Sequence, residues 1–129
     1  MSRILVVDDD ETFRRLLCQT LLGAGHQVLA AADGSVALNL YRRQPVDLVI
    51  TDLIMPEKEG IETIVELRRL QPNLKIIAMS GGGYLHCADY LQIARRLGAN
   101  KTLAKPFTAH EVIEAVASLL VDEAKPVES

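Results

Sequence analysis

Short, continuous apolar runs alternate along this chain with longer stretches whose apolar residues recur at helical spacing. The first run, Ile4-Leu5-Val6-Val7, reads as a strand buried on both faces and ends in the acids Asp8, Asp9 and Asp10. Phe13, Leu16, Leu17, Thr20 and Leu21 then share one face of a helix that Gly23 and Gly25 stop. Gln27 to Ala32 is a second strand, turned by Asp33-Gly34 into a helix from about Ser35 to Arg43. That helix presents Val36, Ala37 and Leu40, with Tyr41 at the margin of the face. After Pro45 comes an apolar β-branched run, Leu48-Val49-Ile50-Thr51, which delivers Asp52 before Met55-Pro56 turns the chain out of the sheet.

The second half repeats the alternation. Gly60 opens a helix with Ile61, Ile64, Val65 and Leu67 on its apolar face. Pro72-Asn73 separates it from the strand Lys75 to Met79, which ends at Ser80 and the loop Gly81-Gly82-Gly83. A further helix begins between His86 and Asp89, runs to Leu97 and stops at Gly98. Lys101 to Ala104 is the last strand and delivers Lys105-Pro106. Thr108-Ala109-His110-Glu111 is a capping box opening a helix with Val112, Ile113, Val116, Leu119 and Leu120. Val121 to Ser129 reads as a polar tail or linker stump. Five strands alternating with five helices predict an α/β three-layer, doubly wound fold with a parallel sheet and right-handed crossovers.

Bulk composition narrows the function. With 129 residues, 49% apolar and 24% charged, the chain has room for one ordinary globular domain. A net charge of −3 argues against a broad nucleic-acid-binding face. Cys18 and Cys87 lack metal-ligand spacing and read as reduced thiols, and the scattered His26, His86 and His110 argue against zinc. No apolar run approaches the ~20 residues of a membrane span, and Met1-Ser2-Arg3 leads straight into a strand. The expected location is cytoplasmic, with no membrane partner.

The chemistry gathers at the strand ends. Asp8 and Asp9, Asp52, Ser80 and Lys105 each follow a strand, and in a parallel sheet those ends share the edge where ligands bind. Clustered carboxylates repel unless a cation intervenes. A hard ion such as Mg²⁺ accepts one or two carboxylates and keeps sites for water and phosphate oxygens. A lysine ammonium and a serine hydroxyl suit a phosphoryl group, for which a carboxylate would be the nucleophile.

With these residues in place, the chain resembles the receiver domain of two-component response regulators, from Ile4 to about Leu120. The resemblance rests on Val6-Val7-Asp8-Asp9-Asp10, on Asp47 to Pro56 with Gly60, on Met79-Ser80 and on Lys105-Pro106-Phe107. It implies a flavodoxin-like strand order, 2-1-3-4-5, and a receiver domain over 1–121 with a tail over 122–129. It implies that Asp52 accepts the phosphoryl group and that Asp9 binds Mg²⁺ directly, with Asp8 acting largely through water. The Ile54 carbonyl would complete the metal site, Ser80 would be the hydroxyl donor and Lys105 the phosphate-binding lysine, with a cis Lys105-Pro106 bond. A histidine kinase or phosphotransfer protein would be the donor and an unidentified protein the target. The expected function is a phosphorylation-dependent signalling switch, not an enzyme.

Two departures stand out against the family pattern. Thr102 occupies the position, three before the lysine, where the family usually carries the Tyr or Phe of an aromatic switch, so output is expected through the Gly81–Gly83 loop and the helix after it. The segment from Ser80 to Lys105 is also long. Positions that often steer the hydrolytic water fall on Ile54 and Gly82, which cannot hold it, so a long-lived phosphoryl group is expected. A rival reading takes Asp8-Asp9-Asp10-Glu11-Thr12 as the nucleophile motif of a Mg²⁺-dependent, haloacid-dehalogenase-type phosphatase. It leaves Asp52 without a role and finds no acidic motif after Lys105. The sequence is also compatible with a receiver that binds partners without phosphorylation, and with a receiver cut from a larger regulator; the length favours a stand-alone chain.

Overall fold

The computed structural model describes residues 2–53, 59–81 and 87–124. The strands are β1 (Arg3–Val7), β2 (Gln27–Ala31), β3 (Leu48–Asp52), β4 (Lys75–Ser80) and β5 (Lys101–Ala104). The helices are α1 (Glu11–Gly23), α2 (Gly34–Arg43), α3 (Glu59–Leu70), α4 (Cys87–Arg96) and α5 (Ala109–Ala124). All strand pairs are parallel and the sheet order is β2-β1-β3-β4-β5, the flavodoxin-like arrangement expected. Helix α5 continues to Ala124, past the Val121 at which the tail was expected to begin.

Strand alternation divides the core between the two faces of the sheet. Leu5, Val7, Val49, Ile76 and Ala78 pack with Ala37 and Tyr41 of α2, Ile64 and Leu67 of α3 and Ala94 of α4. Ile4, Val6, Ile50, Ile77 and Met79 pack with Leu17 and Leu21 of α1 and Val112, Val116 and Leu119 of α5. Every residue of β3 is buried, as its central place between β1 and β4 requires.

Three residues expected on apolar faces are exposed instead: Leu16 (58%), Val36 (42%) and Val65 (37%). Each adjoins in sequence a residue of the buried seam, namely Leu17, Ala37 and Ile64. One residue is about 100° of helix. A helix resting on a flat sheet buries only a narrow arc, and the neighbour one step round leaves it.

Side-chain caps start α1, α2 and α5, and the one at α5 is the capping box expected from the sequence. The Asp10 side chain accepts from the Phe13 amide (3.1 Å) and Asp33 from the Val36 amide (2.9 Å). In the capping box the Thr108 amide donates to Glu111 Oε1 (2.8 Å) and the Glu111 amide to Thr108 Oγ1 (3.0 Å). Gly60 has a different reason to be glycine: a Cβ there would collide with main-chain atoms of Asp52 and Leu53, where α3 passes over the end of β3. Gly60→Ala is expected to destabilise the fold by about 1–3 kcal/mol through overpacking, although alanine favours a helix by up to about 1 kcal/mol. The check is a lower urea midpoint at unchanged m value. An unchanged midpoint would show that α3 can shift away from β3 at little cost.

Candidate functional site

The sheet's hydrogen bonding runs on past the strand ends and sets the spacing of the site. The Asp8 amide donates to the Ala31 carbonyl (3.1 Å), the Leu53 amide to Met79 (2.9 Å) and the Lys105 amide to Ser80 (2.8 Å). Asp8, Asp52, Ser80 and Lys105 therefore stand at one edge of the sheet, on four adjacent strands. Asp8 and Ser80 are fully buried, and Asp52 is nearly so.

Lys105 reaches back over this edge. Its Nζ lies 2.8 Å from Asp8 Oδ2 and 3.6 Å from Asp52 Oδ2. The other oxygen of Asp8 accepts from the Asp10 amide (2.9 Å), and the Asp8 carbonyl accepts from Arg14 Nη1 (2.8 Å). Asp8 is thus fixed at its side chain and at its main chain.

Asp8, Asp9 and Asp52 each offer a carboxylate oxygen, and these oxygens lie within 4.8 Å of one another, with Asp9 exposed and the other two buried. Among the described residues Lys105 is the ammonium that meets these carboxylates, and crowded carboxylates favour a cation. An all-oxygen donor set open to solvent on one side fits a hard ion that retains part of its water, as Mg²⁺ does. Ile54, whose carbonyl is expected to join the set, lies outside the described residues, as does Gly82. The Lys105-Pro106 bond is cis, as the resemblance implies.

Phe13, which the sequence marks only as apolar, also lines the site, packed against Phe107 of the Lys105-Pro106-Phe107 motif. Lys105 Nζ sits over the Phe13 ring, 4.1 Å from its centroid, and Phe13 meets Phe107 edge-to-face at 5.6 Å. The signal for Phe13 was local. Side chains in a first helical turn lean back toward the helix N-terminus, and this helix starts directly after the acids. The third acid, Asp10, has its carboxylate at the Phe13 amide as a helix cap.

Residues 4–117 match the family description of the response regulator receiver domain. The chain is 35% identical over 119 residues to sporulation initiation phosphotransferase F of Bacillus subtilis, covering 92% of this chain and 94% of that protein. It is 35% identical over 125 residues to the DNA-binding transcriptional regulator NtrC of Azospirillum brasilense, covering 97% of this chain but only 25% of that relative's length. Among solved structures, a response regulator receiver domain protein from Clostridium thermocellum superposes with a TM-score of 0.88 at 28% identity, over 96% of this chain and 98% of that one.

Proposed function

The chain belongs to the response regulator receiver domain family, and from that premise we propose that it is a phosphorylation-dependent signalling switch with Asp52 as phospho-acceptor. The observation that carries the reading is the placement of Lys105 Nζ at 2.8 Å from Asp8 and 3.6 Å from Asp52, beside three convergent carboxylates. In the transfer, an Asp52 carboxylate oxygen bonds to phosphorus as the P–N bond of a phosphohistidine donor breaks. The electron pair of that bond stays with the imidazole, which leaves as the neutral base when its other nitrogen is protonated. Lys105 meets the charge on the phosphoryl oxygens, and Ser80 donates its hydroxyl to one of them. Asp8, Asp9, Asp52 and the Ile54 carbonyl would hold Mg²⁺, which when bound offsets the remaining phosphoryl charge.

The donor is a histidine kinase or histidine phosphotransfer protein, and the output is an altered docking surface for a protein target. The chain acts in the cytoplasm on this reading, as a switch and not as an enzyme that turns over substrate, with no nucleic-acid or membrane partner. Among the described residues no helix is long and apolar enough to cross a membrane. On this reading the phospho-accepting domain extends through α5, which ends at Ala124.

The experiment is transfer of labelled phosphate from phosphorylated histidine kinases in Mg²⁺ buffer. A protein that takes no label from any phosphohistidine donor or from acetyl phosphate would overturn the reading. The metal assignment has its own test. Asp9→Asn replaces an anionic oxygen donor with a neutral amide, and calorimetric titration should show Mg²⁺ affinity lower by about tenfold or more, since changes even outside the ligand shell cost that much. Equal affinity would remove Asp9 from the ligand set.

A further inference from the structure

We propose that Phe13 is a positioning residue for phosphoryl transfer, holding the Lys105 ammonium over the acidic site through the face of its ring. This deepens the phospho-switch reading and rests on it. Lys105 Nζ has an anion on two sides, Asp8 at 2.8 Å and Asp52 at 3.6 Å, and the Phe13 ring centroid at 4.1 Å on a third. That distance is well inside the range at which the negative ring face attracts a cation. The lysine side chain is only 18% exposed, so the attraction acts with little competing water.

The ring is itself fixed. Its main-chain amide donates to the Asp10 cap, tying it to the acidic loop. Its ring packs at 86° against Phe107, two residues after Lys105 in the segment that carries the lysine. These are the only two phenylalanines in the chain; Phe13 lies under the ammonium and Phe107 braces the Phe13 ring. Holding a cation with a π face has a chemical advantage over holding it with another carboxylate. The ring attracts the ammonium without forming a strong ion pair, so Lys105 can turn toward an incoming phosphoryl oxygen while staying over the site. Without the ring, the ammonium loses its third restraint and can swing toward solvent, and fewer molecules present it correctly to the donor.

A structural role for Phe13 has to be separated from this one, because the residue also packs against the core face of α1 and α5. Fluorinated phenylalanines make the separation. Successive fluorination drains the ring's negative face while leaving its shape nearly unchanged. The test is phosphorylation by acetyl phosphate in Mg²⁺ with one, two or three fluorines on the ring at position 13, alongside Phe13→Leu and Phe13→Tyr. The logarithm of the rate should fall steadily with fluorine number, Phe13→Leu should be slower by about three- to thirtyfold, and Phe13→Tyr should restore the rate. In the NMR spectrum the Lys105 Hε protons should be shifted upfield by the ring current in wild type and Phe13→Tyr, and not in Phe13→Leu. Rates flat across the fluorinated series, with wild type phosphorylated normally, would overturn the positioning role and leave the switch reading intact. Wild type that takes up no phosphoryl group would remove both.

Discussion

Asp52→Asn is expected to take up no phosphoryl group from acetyl phosphate, and to bind no beryllofluoride, under conditions in which wild type is modified. The amide lacks both the charge and the lone-pair availability that make a carboxylate oxygen a nucleophile toward phosphorus. The substitution also leaves the surroundings in place. Asn is isosteric with Asp, β3 is paired on both sides, and Lys105 keeps its shorter contact, at 2.8 Å, to Asp8. The loss should therefore appear in chemistry and not in folding, with urea midpoints close to wild type. Intact-protein mass spectrometry reads the phosphorylation and fluorine NMR the beryllofluoride. The site contains two other carboxylates, and Asp9 is the exposed one. A modified Asp52→Asn protein would move the acceptor to that residue and defeat the assignment.

What could be read from the sequence is what repeats locally. The buried strands, the helix caps and the strand-end positions of Asp8, Asp52, Ser80 and Lys105 all follow from short patterns, and a parallel sheet then brings those ends together. What could not be read depends on orientation or on distant partners. Periodicity marks Leu16 as apolar but does not say which 100° of α1 faces the sheet, and the structure leaves it 58% exposed. Phe13 has the spacing of a core residue, yet its ring faces an ammonium from the far end of the chain. Thr102, in place of an aromatic, lines an open groove between α4 and α5 with Arg95, Lys101, His110 and Glu114. The expected long phosphoryl lifetime rests on Ile54 and Gly82, both outside the described residues, and stays a proposal.

Arg68 carries no sequence signal at all, since a basic residue in the last turn of a helix is ordinary. In the fold its Nη1 donates to the carbonyls of Pro72 (2.6 Å) and Leu74 (2.7 Å), and its Nη2 to Gly98 (2.6 Å) and more weakly to Asn100 Oδ1 (3.3 Å). Asn100 in turn exchanges hydrogen bonds with Ile76, its amide to the Ile76 carbonyl (2.7 Å) and the Ile76 amide to its Oδ1 (2.8 Å). One guanidinium thus ties the end of α3 to the approach to β4 and to the turn between α4 and β5, at the edge of the sheet opposite the acidic site. Gly98 makes room for it. At φ +119° it has a backbone that side chains resist, and a Cβ there would stand 2.9 Å from Arg68 Nε. Burial lowers the pKa of Arg68, a measure of what desolvating the charge costs. The charge nevertheless persists at neutral pH, because converging carbonyls replace the lost water. Arg68→Ala should therefore cost about 2–4 kcal/mol, since hydrogen bonds to a charged donor contribute about 1.5–3 kcal/mol each and water can reach some of the abandoned carbonyls. A total stability of about 5–15 kcal/mol makes that a large fraction. Arg68→Lys should recover less than half, because an ammonium lacks the planar fork that spans Leu74 and Gly98 together. Urea denaturation of the three proteins measures both effects, and the phosphorylation rate of the folded variants should match wild type. An Arg68→Ala midpoint equal to wild type would mean that water satisfies these carbonyls as well as the guanidinium does.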